Sequence, residues 1–287
     1  MSQQVVIMFP VPESVLTALS VVYEVLYCPT FSDREAFYQT SHNDVVAVLT
    51  NGTQGIKAAR AKGVAITHGP GTNSKAVADH AMALLLAVSR HIVPMHAQVQ
   101  EGEWTVSNVS WPSVHGKRLG IMGLGRIGME IAKRATGFDL EIGYHNRSQR
   151  SDVDYPYFDD LPTMAKWCDY LTCSSPGGDS THHAINTEVF GNLGPDGVIV
   201  NIGRGSIVDI DALVLALELG TISGAGLDVL EDEPKVPKSI IGLKNLTMTP
   251  HIAGNCPEAT IAKLELYMQN VGLCLNRNAP LTPVPEG

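Results

Sequence analysis

Apolar residues cluster along this chain with two different periods. Val5–Phe9, Glu24–Tyr27 and Val45–Thr50 are short runs rich in aliphatic and β-branched residues, and each has the length of a buried strand. Pro12–Ser20 and Asp33–Thr40 read as helices, and Val64–His68 as a further strand. Strand and helix in alternation predict a parallel sheet. The pattern changes at Ser74. Ala76–Gln100 predicts one long helix, apolar on most sides in its first half (Val77, Ala81, Met82, Leu84, Leu85, Leu86, Val88), as a buried helix must be. Pro94 is expected to kink it. A second series then begins. Strands are predicted at Arg118–Met122, Glu141–His145, Tyr170–Ser174, Val198–Ile202, Gly224–Val229 and Leu246–Thr249, with helices at Ile127–Ala135, Ile210–Leu219 and Pro257–Leu275.

The strand Arg118–Met122 runs straight into Gly123-Leu124-Gly125-Arg126-Ile127-Gly128, and a helix follows. That is the G-x-G-x-x-G turn of a dinucleotide-binding unit in its proper context. Gly123 allows the tight turn, Gly125 lets backbone approach a pyrophosphate, and Gly128 lets helix pack on strand. The free N–H groups of Arg126 and Ile127 would hold the anion at the helix start. The next strand does not end in the acid that would grip an NAD ribose. It ends in Asn146, Arg147 and Ser148, which suit a 2′-phosphate, so the expected cofactor is NADP(H). The predicted fold is α/β. Residues 75–259 form a doubly wound parallel Rossmann sheet, and residues 1–74 with 260–287 form a smaller flavodoxin-like α/β substrate domain.

Bulk properties exclude several alternatives. With 44% hydrophobic and 17% charged residues the 287-residue chain has a globular composition, and its net charge of −9 argues against a nucleic-acid partner. The longest apolar stretch, Ala81–Val88, is too short to span a bilayer, and no signal peptide is expected. The five cysteines are scattered without disulfide or metal-ligand spacing, which predicts reduced thiols and a cytoplasmic protein.

Ligands of open α/β sheets bind beyond the carboxyl ends of the strands. Three successive strands end there in Gly203-Arg204-Gly205, Leu230-Glu231-Asp232-Glu233-Pro234 and Pro250-His251-Ile252-Ala253-Gly254. A guanidinium, a carboxylate and an imidazole on one edge are what reduction of a 2-keto acid requires. Each also has a plain structural reading: Arg204 as a surface arginine, Glu233 as one of three acids in a solvated loop, His251 as a satisfied histidine. His182 and His183 read as structural histidines.

Taken together, these segments resemble the D-isomer-specific 2-hydroxyacid dehydrogenases, with the second-strand tip of the NADPH-dependent glyoxylate/hydroxypyruvate reductase branch. The similarity also covers Gly69–Asn73, Ala76–Asp79, Leu84–Arg90, Ser175–Gly178, Val200–Asp209 and Gly224–Asp228. It implies that Arg204 binds and polarises the keto acid, that His251 donates the proton, and that Glu233 holds His251 protonated. It implies that Asp228 bonds the nicotinamide carboxamide near the Ile202 backbone. Val77, Ser174, Ser175, Pro176, Thr181, Gly203, Ala253 and Gly254 would line the cofactor, and a homodimer would form on the Ala76–Gln100 region. Two rivals remain open: an NADP-sensing binding protein without turnover, and an NAD-linked dehydrogenase.

One stretch departs from the family pattern. Asn51–Ile56 is followed at once by Lys57–Gly63, where family members carry a longer insert whose Gly-x-Gly loop grips the substrate carboxylate. Two explanations stand: either residues belong at the Ile56–Lys57 junction that the sequence does not show, or the protein lacks them and with them the carboxylate grip and a strand of the first sheet. A lost strand would expose a sheet edge, so the first is the expectation.

Overall fold

The computed structural model describes residues 3–39, 45–49, 65–104 and 111–284. The chain forms two compact units, Met1–Asn73 with Cys256–Gly287, and Ser74–Asn255.

In the smaller unit, strands β1 (Gln4–Ile7), β2 (Glu24–Tyr27) and β3 (Val45–Leu49) form a parallel sheet in the order β2-β1-β3. Successive side chains of a strand face opposite sides. Val5, Ile7 and Phe9 therefore pack on one face with Leu264 and Tyr267, while Val6 and Met8 pack on the other with Cys28 and Phe37. The central strand is buried on both faces, which is why its sequence is continuously apolar. Helices α1 (Glu13–Ser20) and α2 (Phe31–Tyr38) connect the strands. Thr30 and Asp33 start α2 with a reciprocal capping box. The strand expected at Val64–His68 does not join the sheet. Of its described residues only Thr67 forms a bridge, an antiparallel one to Pro283, and the His68 and Val284 amides bond across to Thr282 and Ile66. These two bonds flank the Thr67–Pro283 pair, so the missing N–H of Pro283 costs the bridge nothing. The Ile56–Lys57 junction lies outside the described residues.

In the larger unit seven parallel strands stand in the order β10-β9-β8-β7-β4-β5-β6. They are β4 (Arg118–Met122), β5 (Glu141–His145), β6 (Tyr157–Phe158), β7 (Tyr170–Cys173), β8 (Val198–Asn201), β9 (Gly224–Leu227) and β10 (Leu246–Met248). This is the doubly wound arrangement, with the strand order reversing beside β4. On one face α3 (Ser74–Ser89) and α5 (Arg126–Ala135) bury Ala81, Leu85 and Ile131 against Leu119, Ile121 and Val200. On the other, α6 (Leu161–Trp167), α7 (Thr187–Leu193) and α8 (Ile210–Glu218) bury Met164, Phe190 and Leu213 against Leu171 and Ile199. The short β6, α6 and α7 were not expected. Asp160 and Asn186 cap the two helices by accepting bonds from first-turn amides.

The predicted single helix over Ala76–Gln100 is two helices, α3 and α4 (Ile92–Gln100), bent by 64°. The break falls at His91, which is left-handed (φ 49°), and not at Pro94. Proline within a helix clashes with the carbonyl of the residue four before it, here Arg90, at about 3 kcal/mol, whereas one left-handed residue costs about 1–2 kcal/mol. The cheaper distortion is the one observed. Among the described residues no single helix is long and apolar enough to cross a membrane. The last helix, α9, spans Pro257–Leu275.

Burial pushes the Cys168 and Cys173 thiols up to about 12, while Cys256 and Cys274 are only half-buried. Iodoacetamide at mildly alkaline pH should therefore label Cys256 and Cys274 in the folded protein and spare Cys168 and Cys173, since the thiolate is the nucleophile. Peptide mass mapping checks this, and equal labelling of all four would contradict the burial.

Candidate active site

Six loops line the carboxyl edge of the large sheet, those after β4, β5, β7, β8, β9 and β10. The first follows β4. Gly123 is left-handed (φ 96°), and a Cβ there would lie 2.5 Å from Ser175 Oγ. A Cβ at Gly128 would lie 2.4 Å from the Gly123 carbonyl oxygen. Both glycines are thus demanded by close approach of backbone. Gly125 is different, because a Cβ there meets nothing within 4 Å among the described residues. It caps α5, whose first-turn amides, those of Arg126 and Ile127 among them, lack intrahelical partners. A glycine the protein does not itself require, set at a helix N-terminus, fits a phosphate group approaching from outside.

The Leu124 amide donates to Asn146 Oδ1 at 2.7 Å. Asn146, expected at the 2′-phosphate, therefore also braces the glycine loop. Arg147 and Ser148 beside it are exposed, and Arg147 makes no hydrogen bond or ion pair among the described residues. Arg150 was not singled out from the sequence. Its guanidinium donates to the Leu124 carbonyl at 2.8 Å and pairs with Asp152, bringing a second arginine to this corner. The one sequence signal was its place just beyond Arg147.

The loop after β7 carries Ser174, whose hydroxyl donates to the Gly123 carbonyl at 2.8 Å. Thr181 Oγ1 folds the same loop by donating to the Pro176 carbonyl at 3.0 Å. Gly203 follows β8 so closely that a Cβ would sit 2.6 Å from the Ser175 carbonyl oxygen. Val77 is buried in one apolar cluster with Ile202 and Ala253.

Arg204 stands exposed at the end of β8. Its guanidinium donates to its neighbour's carbonyl, Gly203 O, at 2.7 Å, and its stem passes Gly177, where a Cβ would come within 3.1 Å of it. Asn201, fully buried, accepts from the Gly203 amide and donates to the Arg204 carbonyl, so it shapes the turn that presents the arginine. Its signal was an asparagine ending an otherwise apolar strand.

Glu233 accepts from the Leu230 amide at 2.9 Å through one oxygen and lies 2.7 Å from His251 Nδ1 through the other. Burial works to raise the Glu233 carboxyl, but the His251 and Leu230 hydrogen bonds and the nearby charges of His251 and Arg204 outweigh it, and the net direction is down. An ionised carboxylate only accepts, so Nδ1 of His251 donates, and Nε2 has no hydrogen-bond partner among the described residues. Glu233 thus joins the other two groups: bonded to His251 and within electrostatic reach of Arg204.

Asp228 has structural partners of its own. It is 2% exposed, and its carboxylate accepts from the Thr249 hydroxyl at 2.6 Å and from the Ile252 and Ala253 amides at 3.0 Å each. The carboxylate therefore organises the 249–253 turn that presents His251 and leads to Gly254. Each donor left unpaired by its loss would cost about 1–3 kcal/mol. His80 on α3 extends the network, with Nε2 at 2.8 Å from Thr249 Oγ1. It was legible only as a polar residue on an apolar helix.

Known proteins share this architecture. The sequence pattern described as "D-isomer specific 2-hydroxyacid dehydrogenase, NAD binding domain" matches residues 82–253. A hydroxyphenylpyruvate reductase of Plectranthus scutellarioides is 40% identical over 224 residues, 78% of this chain and 72% of that one. A glyoxylate reductase of Thermococcus litoralis is 38% identical over 226 residues, 75% of this chain and 68% of its own. Among solved structures, the NADPH-dependent glyoxylate/hydroxypyruvate reductase of Sinorhizobium meliloti, determined with NADP and malonate, superposes with a TM-score of 0.80 at 30% identity, covering 99% of this chain and 97% of that one. The chain belongs to the D-isomer-specific 2-hydroxyacid dehydrogenase family.

Proposed function

We propose that this protein reduces a small 2-keto acid, glyoxylate or hydroxypyruvate first, to the D-2-hydroxy acid with NADPH. The observation that carries the proposal is the 2.7 Å contact of His251 and Glu233 within electrostatic reach of Arg204, on the sheet edge that also bears the Gly123–Gly128 turn. The α5 N-terminus holds the cofactor pyrophosphate, and Arg147 with Ser148 takes the 2′-phosphate. When bound, the nicotinamide supplies a hydride to the keto carbon. The Arg204 guanidinium grips the carboxylate and keto oxygen and stabilises the charge that develops there. His251 Nε2 delivers a proton to that oxygen, while Glu233 on Nδ1 fixes the ring and balances the imidazolium charge. In this reading the enzyme is a cytoplasmic homodimer, its subunits meeting on the α3–α4 region.

The test is NADPH oxidation with glyoxylate, hydroxypyruvate and a longer 2-keto acid. Tight NADPH binding in folded protein without turnover on any of them would replace this reading with a sensing role. The cofactor assignment has its own check. Arg147→Ala should raise the NADPH KM roughly 10–100-fold, the loss of about 1.5–3 kcal/mol from a charged hydrogen bond, and leave the NADH KM unchanged. A wild-type preference for NADH would assign the cofactor to NAD instead.

A further inference from the structure

His182 and His183 stand at the end of the loop that follows β7. Neighbouring side chains of an extended chain point to opposite sides. Here His182 is extended (φ −62°) and His183 is left-handed (φ 48°), so both rings turn the same way. They stack with centroids 3.9 Å apart and planes inclined by 22°. Each Nε2 lies 3.1 Å from a different oxygen of Glu231, which comes from the loop after β9, far along the chain. A left-handed non-glycine residue costs about 1–2 kcal/mol. The reduction chemistry uses none of these three side chains, so that cost has no explanation in the proposed reaction.

We infer that His182, His183 and Glu231 form a binding site for a divalent transition-metal ion, with Zn2+ the best fit. Their ligand atoms all lie within 4.8 Å of one another. Zinc bonds imidazole nitrogen and carboxylate oxygen at about 2.0–2.2 Å, which in a tetrahedron sets neighbouring ligand atoms roughly 3.3 Å apart. The two nitrogen–oxygen spacings already have that size. The nitrogen–nitrogen spacing closes by a turn of the His182 ring, which is half-exposed and, among the described residues, is held only by Glu231 and its stacked neighbour. His183 is the fixed member, since its amide donates to the Ser206 carbonyl at 2.8 Å. Two imidazoles and one carboxylate favour zinc, nickel or copper over magnesium and calcium, which take oxygen ligands. Solvent completes the coordination, because the cluster is on the surface. The ion ties together two loops: one carries Gly177, against which the Arg204 stem passes, and the other carries Glu233.

The experiment is calorimetric titration of Zn2+ into metal-free, tag-free full-length protein, repeated with His182→Ala, Glu231→Gln and His251→Ala. Wild type should bind one equivalent saturably. His182→Ala and Glu231→Gln should each weaken binding at least tenfold, of the order seen when even an outer partner of a metal site is lost. His251→Ala should bind as wild type does, which excludes the other histidine–carboxylate pair. Cu2+ electron paramagnetic resonance gives a second readout that does not depend on affinity: two coordinated imidazole nitrogens in wild type, one in His182→Ala. Circular dichroism verifies the fold of each variant, and His182→Asn substitutes if the alanine variant fails that check. Absence of saturable one-equivalent binding overturns the inference, and so does unchanged binding in the His182 and Glu231 variants.

Discussion

Alanine in place of His251 should lower kcat/KM for glyoxylate with NADPH by about 10²–10⁴-fold, the contribution of a positioned proton donor. The affinity for NADPH and the melting temperature should stay near wild type. The structure separates these effects because the turn does not depend on the imidazole. The His251 amide bonds to the Asp228 carbonyl at 2.8 Å, and the Ile252 and Ala253 amides bond to the Asp228 carboxylate. All three contacts survive truncation of the ring. His251 is left-handed (φ 55°), a conformation asparagine tolerates better than alanine. His251→Asn is therefore the better control: it keeps the backbone and has no group able to donate a proton as an acid. Both variants should be equally impaired. If the asparagine variant kept more than about a tenth of wild-type kcat/KM, the imidazole would not be the proton donor, since that is less than the smallest general-acid effect. Glu233→Gln should retain the His251 contact as a neutral hydrogen bond and fall between wild type and these variants.

The parts of this site that local chemistry dictates were legible in the sequence. The Gly123–Gly128 turn is one, because its glycines answer to contacts between neighbouring elements, and the strand before it and the helix after it are continuous with it. The positions of Arg204, Glu233 and His251 were legible for a related reason: each follows an apolar run that had to be a strand, and all such runs in a parallel sheet end on the same edge. What escaped was set by partners distant in sequence. The amides that Asp228 also holds are 24 and 25 residues on, and its sequence position gave no sign of them. His80 meets Thr249 across 169 residues. His182 and His183 looked like ordinary histidines until the fold brought Glu231 to them. Short elements escaped too. The strand Tyr157–Phe158 has two residues, too few to show a period, and is held by pairing with Tyr144 and His145. The bend at His91 was misplaced onto Pro94 because sequence marks the residue that cannot be accommodated, while structure chooses the cheapest place to yield.

Replacing Arg204 by lysine should be nearly as damaging as removing the side chain. A loss of about 10²–10³-fold in kcat/KM is expected for either Arg204→Lys or Arg204→Gln, the scale of one lost transition-state donor. The reason lies in how the guanidinium is already used. One of its nitrogens donates to the Gly203 carbonyl at 2.7 Å, and the buried Asn201 fixes that turn from beneath. This anchor restrains the plane of the fork, and the side chain is otherwise exposed. A lysine ammonium is a point charge on a flexible stem and cannot present two parallel donors while holding such an anchor. The two kinetic constants divide the effect. Contact with the substrate carboxylate exists before and during reaction and shows as a raised KM; contact with the keto oxygen strengthens only as charge develops and shows as a lowered kcat. Arg204→Lys should move both, and Arg147→Ala should move neither for the keto acid. Near-normal kcat/KM in Arg204→Lys would mean that charge alone suffices there, and the bidentate role of Arg204 would have to be abandoned.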